Sequence, residues 1–215
     1  MTQRTYAYGN LPAHVPVAQN ADGDFVNLQL GADGGLKISG DIPVPVSGAT
    51  VKVGVELTRP ADTTAYTAKD VVADSTSAPT VITFSNFARV NAGSGIIVRA
   101  RLMTDQKTCT SGFRLHLFHT APTAINDNSP YSLLYANAAN RIGQIDFAAM
   151  SSEDPTNSTA AASMRPSADG AYGAPNLWFQ SAAASRALYG ILETTSGFAP
   201  ASGQKFYVEL AAILD

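Results

Sequence analysis

Residues 51–84 read VKVGVELTRPADTTAYTAKDVVADSTSAPTVITF, and the opening of that stretch decides the fold class. Val51, Val53, Val55 and Leu57 alternate with Lys52, Gly54, Glu56 and Thr58. A period of two is the signature of a half-buried strand. Arg59-Pro60 ends it, because proline has no N–H for a sheet ladder and restricts the residue before it. A polar loop, 61–66, leads to a short second strand near 69–73, and a third begins at Val81.

Working outward toward the C-terminus, strand candidates follow at sandwich-like spacing. In 96–103, Val98, Ala100 and Leu102 should share one face, with Ile97, Arg99, Arg101 and Met103 on the other. In 113–119, Phe113, Leu115 and Leu117 should point inward and Arg114, His116 and Phe118 outward. Further strands are expected at 81–90, 142–150, 177–180, 187–194 and 204–214, the last with Phe206, Val208, Leu210, Ala212 and Leu214 inward. Residues 120–140 and 151–174 read as long loops, which are uncommon in a compact domain unless they serve as contact surfaces. The only helix-like passage is 181–186. About eight strands after residue 50 predict an all-β, jelly-roll-like antiparallel sandwich over 49–215. An immunoglobulin-like order is the alternative.

Working back from Val51, residues 1–48 read as an extended N-terminal arm with a small hairpin. Val26, Leu28 and Leu30 alternate with polar neighbours, Gly31 to Gly35 turns the chain, and Leu36 and Ile38 return it. Two short strands do not stand alone in water, so these apolar residues are expected to dock on a partner. Tyr131 and Tyr135, in the first long loop, are expected to bury against the sandwich or a partner.

Composition narrows the function. Charged residues make up 14 % of the 215, against roughly 25 % in average soluble proteins. The net charge is −3, from 14 basic and 17 acidic residues that form no basic run, so no nucleic-acid partner is expected. No apolar stretch is long enough for a membrane helix. The N-terminus lacks the apolar core of a secretion signal, which makes a cytoplasm the expected place of synthesis. The single cysteine, Cys109, leaves no internal disulfide and reads as an inert thiol.

No catalytic motif is found, and no metal or cofactor is expected. Glu56, Asp146, Glu193 and Glu209 lie in strands and could in principle pair across a cleft, but exposed strand carboxylates are common. His116 and His119, at i and i+3 on one strand, fall on opposite faces and read as one buried and one surface histidine. Trp178 lies in the apolar run Leu177-Trp178-Phe179, which predicts a core position. Its alternative role, with Tyr131, Tyr135 and Tyr172, is a stacking platform for sugars.

The run V-x-V-x-V-E-L-T-R-P-A-D-T-T-A-Y-T-A-x-D-V-V at 51–72, the hairpin at 31–40 and the closing F-Y-V-E-L-A at 206–211 resemble virion structural proteins of tailed bacteriophages. The likeness is strongest to capsid decoration, or cement, proteins. That resemblance implies a non-enzymatic β-rich protein, made in the host cytoplasm, which sits on the capsid exterior as a homotrimer. Its partners would be its own copies and the major capsid protein. A tail or fibre component with a carbohydrate-binding jelly roll is the alternative. Arg59, Asp62 and Tyr66 match the recurrent motif. With Pro60 they are read as a structural junction between arm and body, the arginine holding the loop carboxylate.

Overall fold

The computed structural model describes residues 17–19, 25–27, 29–30, 36–37, 49–153, 155–163 and 177–215. The chain divides between Ser47 and Gly48 into two compact units. In the first unit, β1 (Val17–Gln19) pairs with β2 (Phe25–Asn27), and β3 (Gln29–Leu30) pairs with β4 (Leu36–Lys37). The second pair is the expected hairpin, with Leu30 opposite Leu36, while Val26 lies opposite Ala18. Leu28 and Ile38 lie outside the described residues.

The second unit is a β-sandwich. Its strands are β5 (Ala49–Thr58), β6 (Val71–Val72), β7 (Ile82–Phe84), β8 (Ser94–Thr104), β9 (Phe113–Phe118), β10 (Arg141–Phe147), β11 (Ser151–Ser152), β12 (Ser158–Ser163), β13 (Leu177–Gln180), β14 (Leu188–Thr194) and β15 (Lys205–Leu214). Sheet I has the order β11-β12-β8-β15-β5, with β13 also on β8. Sheet II has the order β10-β9-β14-β6, with β7 also on β14. All pairings are antiparallel.

Each of the pairs β6/β7 and β12/β13 occupies one strand position in two pieces. The chain then visits sheet I and sheet II in turn, staying in one sheet only for the steps from β9 to β10 and from the short edge strand β11 to β12. The first and last strands, β5 and β15, lie side by side. Four strand positions per sheet in this interleaved order, with the two-residue β11 added at the edge of sheet I, make a jelly roll. An immunoglobulin order keeps successive strands together in ABED and CFG sheets, so that alternative is excluded.

The alternation at 51–57 holds: Leu57 is buried, Val51, Val53 and Val55 pack on the core, and the intervening residues face water. Phe206, Val208, Leu210, Ala212 and Leu214 meet Phe84, Phe113, Leu115, Leu117 and Leu192 in one core. β8 departs from the expected phase. Arg99 lies opposite Ala211 while Ile97 lies opposite Ala212, so Val98 is an extra, bulged residue. A bulge shifts the alternation by one, which turns Ile97 into the core with Ala100 and Leu102.

Other expectations shift for local reasons. The strand expected at 81–90 stops at Phe84, because Asn86 adopts φ 54°, a left-handed conformation that leaves the ladder. β12 occupies part of the expected loop 151–174. Apart from Thr159 its residues are Ser and Ala, which do not favour strands, and β12 forms because the edge of β8 from Arg99 to Thr104 offers a ladder. Residues 181–186 are a turn, and the short helix α1 is Tyr135–Ala138 instead. His116 and Phe118 do face out of the sandwich, but not into water. Residues of the 120–134 loop, Ile125, Tyr131 and Leu133, pack over Phe118, Val71, Ala73 and Ile191 as a second small core.

Candidate functional site

Arg59 follows directly on β5, its N–H donating to the Gln204 carbonyl at 3.1 Å. Its side chain is wholly buried. Nε donates to the Tyr66 hydroxyl at 2.5 Å, Nη1 to the carbonyls of Asp62 (2.9 Å) and Ala201 (3.3 Å), and Nη2 to the carboxylates of Asp62 (3.3 Å) and Asp127 (3.0 Å). Asp127 in turn accepts from the Tyr66 hydroxyl at 2.5 Å and the Ala73 N–H at 2.9 Å. Tyr66 stacks on Phe198, ring centroids 4.9 Å apart. Pro60 contributes its carbonyl, which accepts from Asp62 and Gly203 N–H groups.

Burial by itself would lower the Arg59 pKa, but the hydrogen bond to Tyr66 and the charge of Asp127 outweigh it and hold it above its usual value. Burial and the bond to Asp127 raise that of Tyr66. The Thr64 N–H, then Arg59, keep the Asp62 carboxyl below its usual range. Buried charge survives here because every donor of the fork meets an acceptor.

The sequence motif therefore folds into an anchor that ties the end of β5 to the 60–66, 120s and 198–204 loops. Asp127, its central acceptor, stands apart from the motif in sequence, and no local pattern marks it as the partner. The unit boundary at Ser47/Gly48 lies a whole strand before Arg59. The anchor is thus at the opposite end of β5 from the place where the body begins, because β5 is already paired with β15 from Ala49 onward.

A second buried network lies under the 120–134 loop. His116 Nε2 bonds the Glu193 carboxylate, and Arg141 Nη2 donates to His116 Nδ1 at 3.0 Å. Nδ1 is thus an acceptor and Nε2–H the donor, which is the neutral imidazole. Tyr131 covers the ring in a parallel stack at 3.9 Å. Of the two tyrosines proposed as contacts, Tyr131 is therefore turned onto its own sheet, whereas Tyr135 is 96 % exposed. Burial, aided by Arg141 and Arg114, outweighs the pull of Glu193 and lowers the pKa of His116.

The unfolded chain, with an ordinary histidine pKa of about 6.5, binds this proton more readily than the fold does. The resulting stability is complete above that pH and is lost as pH falls toward the depressed folded value. Urea unfolding should show stability falling as the pH is lowered through about 6.5, by no more than the one-proton limit of about 1.4 kcal/mol per pH unit, and a His116→Gln variant should lack that component. His119 sits partly exposed, its Nδ1 3.0 Å from the Thr120 hydroxyl.

The strand carboxylates are each held by a base. Glu56 pairs with Lys205 at 2.7 Å, Asp146 with Arg114 at 2.6 Å, Glu193 with His116, and Glu209 with Lys52 at 3.5 Å and Arg101 at 3.9 Å. Among the described residues no cluster of His, Cys, Asp and Glu could hold a metal ion. No helix among them is long and apolar enough to cross a membrane. Cys109 is buried, which pushes its thiol pKa up.

What faces outward is more informative. Trp178, predicted for the core, is 59 % exposed, while Phe179 beside it is buried. Period two explains this: β13 turns Phe179 into the core, so Trp178 must point out. Trp178 lies opposite Ile96, and Ile96 opposite Ile213. Ile96 and Ile213 are 42 % and 48 % exposed. They make an apolar row across the outer face of sheet I. Beyond Trp178, a cleft of about 470 Å³ opens against Arg141, Ile142 and His119.

No family model matches the chain, and no curated protein matches it. A solved structure from the sacbrood virus of honeybee is similar over 77 % of this chain and 70 % of its own, with 9 % identity and a TM-score of 0.24. At that score the likeness carries no argument.

Proposed function

We propose that this chain is a non-enzymatic virion structural protein of a tailed bacteriophage. In this reading it is a decoration protein that binds the capsid exterior as a homotrimer and clamps neighbouring major capsid subunits. The observation that carries the reading is the row Trp178–Ile96–Ile213, large apolar side chains placed side by side in water. Scattered exposed apolar residues need no explanation, but a contiguous row marks a contact surface. The low charge content and the sequence resemblance support the same role. On a symmetric lattice many weak contacts raise avidity by about 10²–10⁴ without any one being strong.

The test adds the purified protein to heads that lack it, and measures co-sedimentation and the temperature of DNA release. Binding and a higher release temperature are expected. Light scattering should give three times the 22.4 kDa of the chain. An Ile96→Lys variant should lose at least about tenfold in binding while its stability changes by no more than about 0.5 kcal/mol, as for other surface substitutions. Heads that neither bind the protein nor gain heat resistance would exclude the role.

A further inference from the structure

We infer that the cleft between β13 and β10 binds an acidic sugar, a pyranose ring that carries a carboxylate. This goes beyond capsid binding and does not rest on it. The two strands meet where the Leu177 side chain packs over Gly143, within 2.7 Å of where a Cβ would sit. The cleft beside that contact, about 470 Å³, falls within the roughly 300–1,000 Å³ of small-molecule sites. Its walls are held by backbone bonds from Ser181 N to Gly93 O (2.9 Å), Ala92 N to Ala182 O (3.1 Å) and His119 N to Asn140 O (3.0 Å).

Two features select the ligand. Trp178 contributes an exposed indole, a flat apolar surface suited to the C–H face of a sugar ring. Arg141 contributes charge. Its Nη2 is committed to His116 Nδ1 at 3.0 Å and Gln144 Oε1 at 2.6 Å, both neutral acceptors. Arg59, Arg101 and Arg114 each sit on a carboxylate. Arg141 forms no ion pair among the described residues. The nearest acid in its network, Glu193, is on the far nitrogen of His116. Nη1 is left to bind a carboxylate with charge assistance. Gln180, whose Nε2 donates to Ala92 O at 3.3 Å, keeps its Oε1 for a sugar hydroxyl, and His119 keeps Nε2.

Trp178 is the chain's single tryptophan, so its emission reports on this cleft alone. The full chain is titrated with methyl β-glucuronide, methyl β-glucoside and sodium acetate. A saturable change with the glucuronide is expected, at least about tenfold tighter than with the glucoside, the scale of one charged hydrogen bond. Arg141→Gln should erase that preference, and Arg141→Lys should keep part of it. No saturable response, equal responses to the two glycosides, or an acetate response equal to that of the glucuronide would each overturn the proposal. If the variants do not fold, the contrast between the three titrants on the unaltered chain decides.

Discussion

Arg59→Ala should lower the stability of the body by about 3–5 kcal/mol, the range for removing one partner of a buried ion pair. The cost arises less from losing the pair than from what remains. Asp127 would stay buried with only the Tyr66 hydroxyl and the Ala73 N–H as donors. The carbonyls of Asp62 and Ala201 would lose a donor as well. Most domains have a total stability of only about 5–15 kcal/mol, so this single change would consume a large share of it. In a chain of this size each kcal/mol moves Tm by roughly 2–4 °C, which predicts a fall of about 6–20 °C by calorimetry. An unchanged Tm would show that the anchor is dispensable. Arg59→Met, similar in length but uncharged, tests the electrostatic part: it fills the space yet should still destabilise, because Asp127 remains unpaired.

Phe206→Ala is the second large effect, expected to cost about 3–5 kcal/mol in urea unfolding. Phe206 lies on β15 between Leu57 of β5 and Thr104 of β8 and is fully buried. Its ring meets Phe113 of the opposite sheet at 5.4 Å and Phe198 at 6.5 Å, both edge-on. Truncation opens a cavity bounded by both sheets, which cannot collapse without moving β15, an inner strand of sheet I held between β8 and β5. Phe206→Leu keeps most of the volume and should cost under about 1.5 kcal/mol. Equal losses for the two variants would mean that ring volume is not what holds the sheets together here.

The readable part of this protein is the part whose signal is local. Val51, Val53, Val55 and Leu57 share a face because successive strand residues alternate, and no distant partner is needed to know it. The same holds for β15 and for the inward residues of β9. Arg59 as a holder of Asp62 was also legible, since the two are close in sequence and an arginine after a strand seeks an acceptor. The failures came where alternation was interrupted or where pairing replaced propensity. A single bulged residue, Val98, reversed the expected face of Ile97. The Ser-Thr-Ala segment of β12 has no apolar period and became a strand by bonding to β8. An apolar neighbourhood suggested a buried Trp178, when the alternation set by Phe179 put it in water.

By itself, then, the sequence determined an all-β body built from alternating strands, the inward faces of the regular ones, and an arginine anchor after the first of them. The strand order that makes it a jelly roll, the recruitment of Asp127 to Arg59, the neutral His116 beneath Tyr131, and the meeting of Trp178 with Arg141 were decided only by the tertiary structure. The physical reason is one of range. Side-chain alternation is dictated by the backbone of each strand, whereas a ladder, a buried ion pair or a cleft exists only when remote segments are brought within a few ångströms of one another.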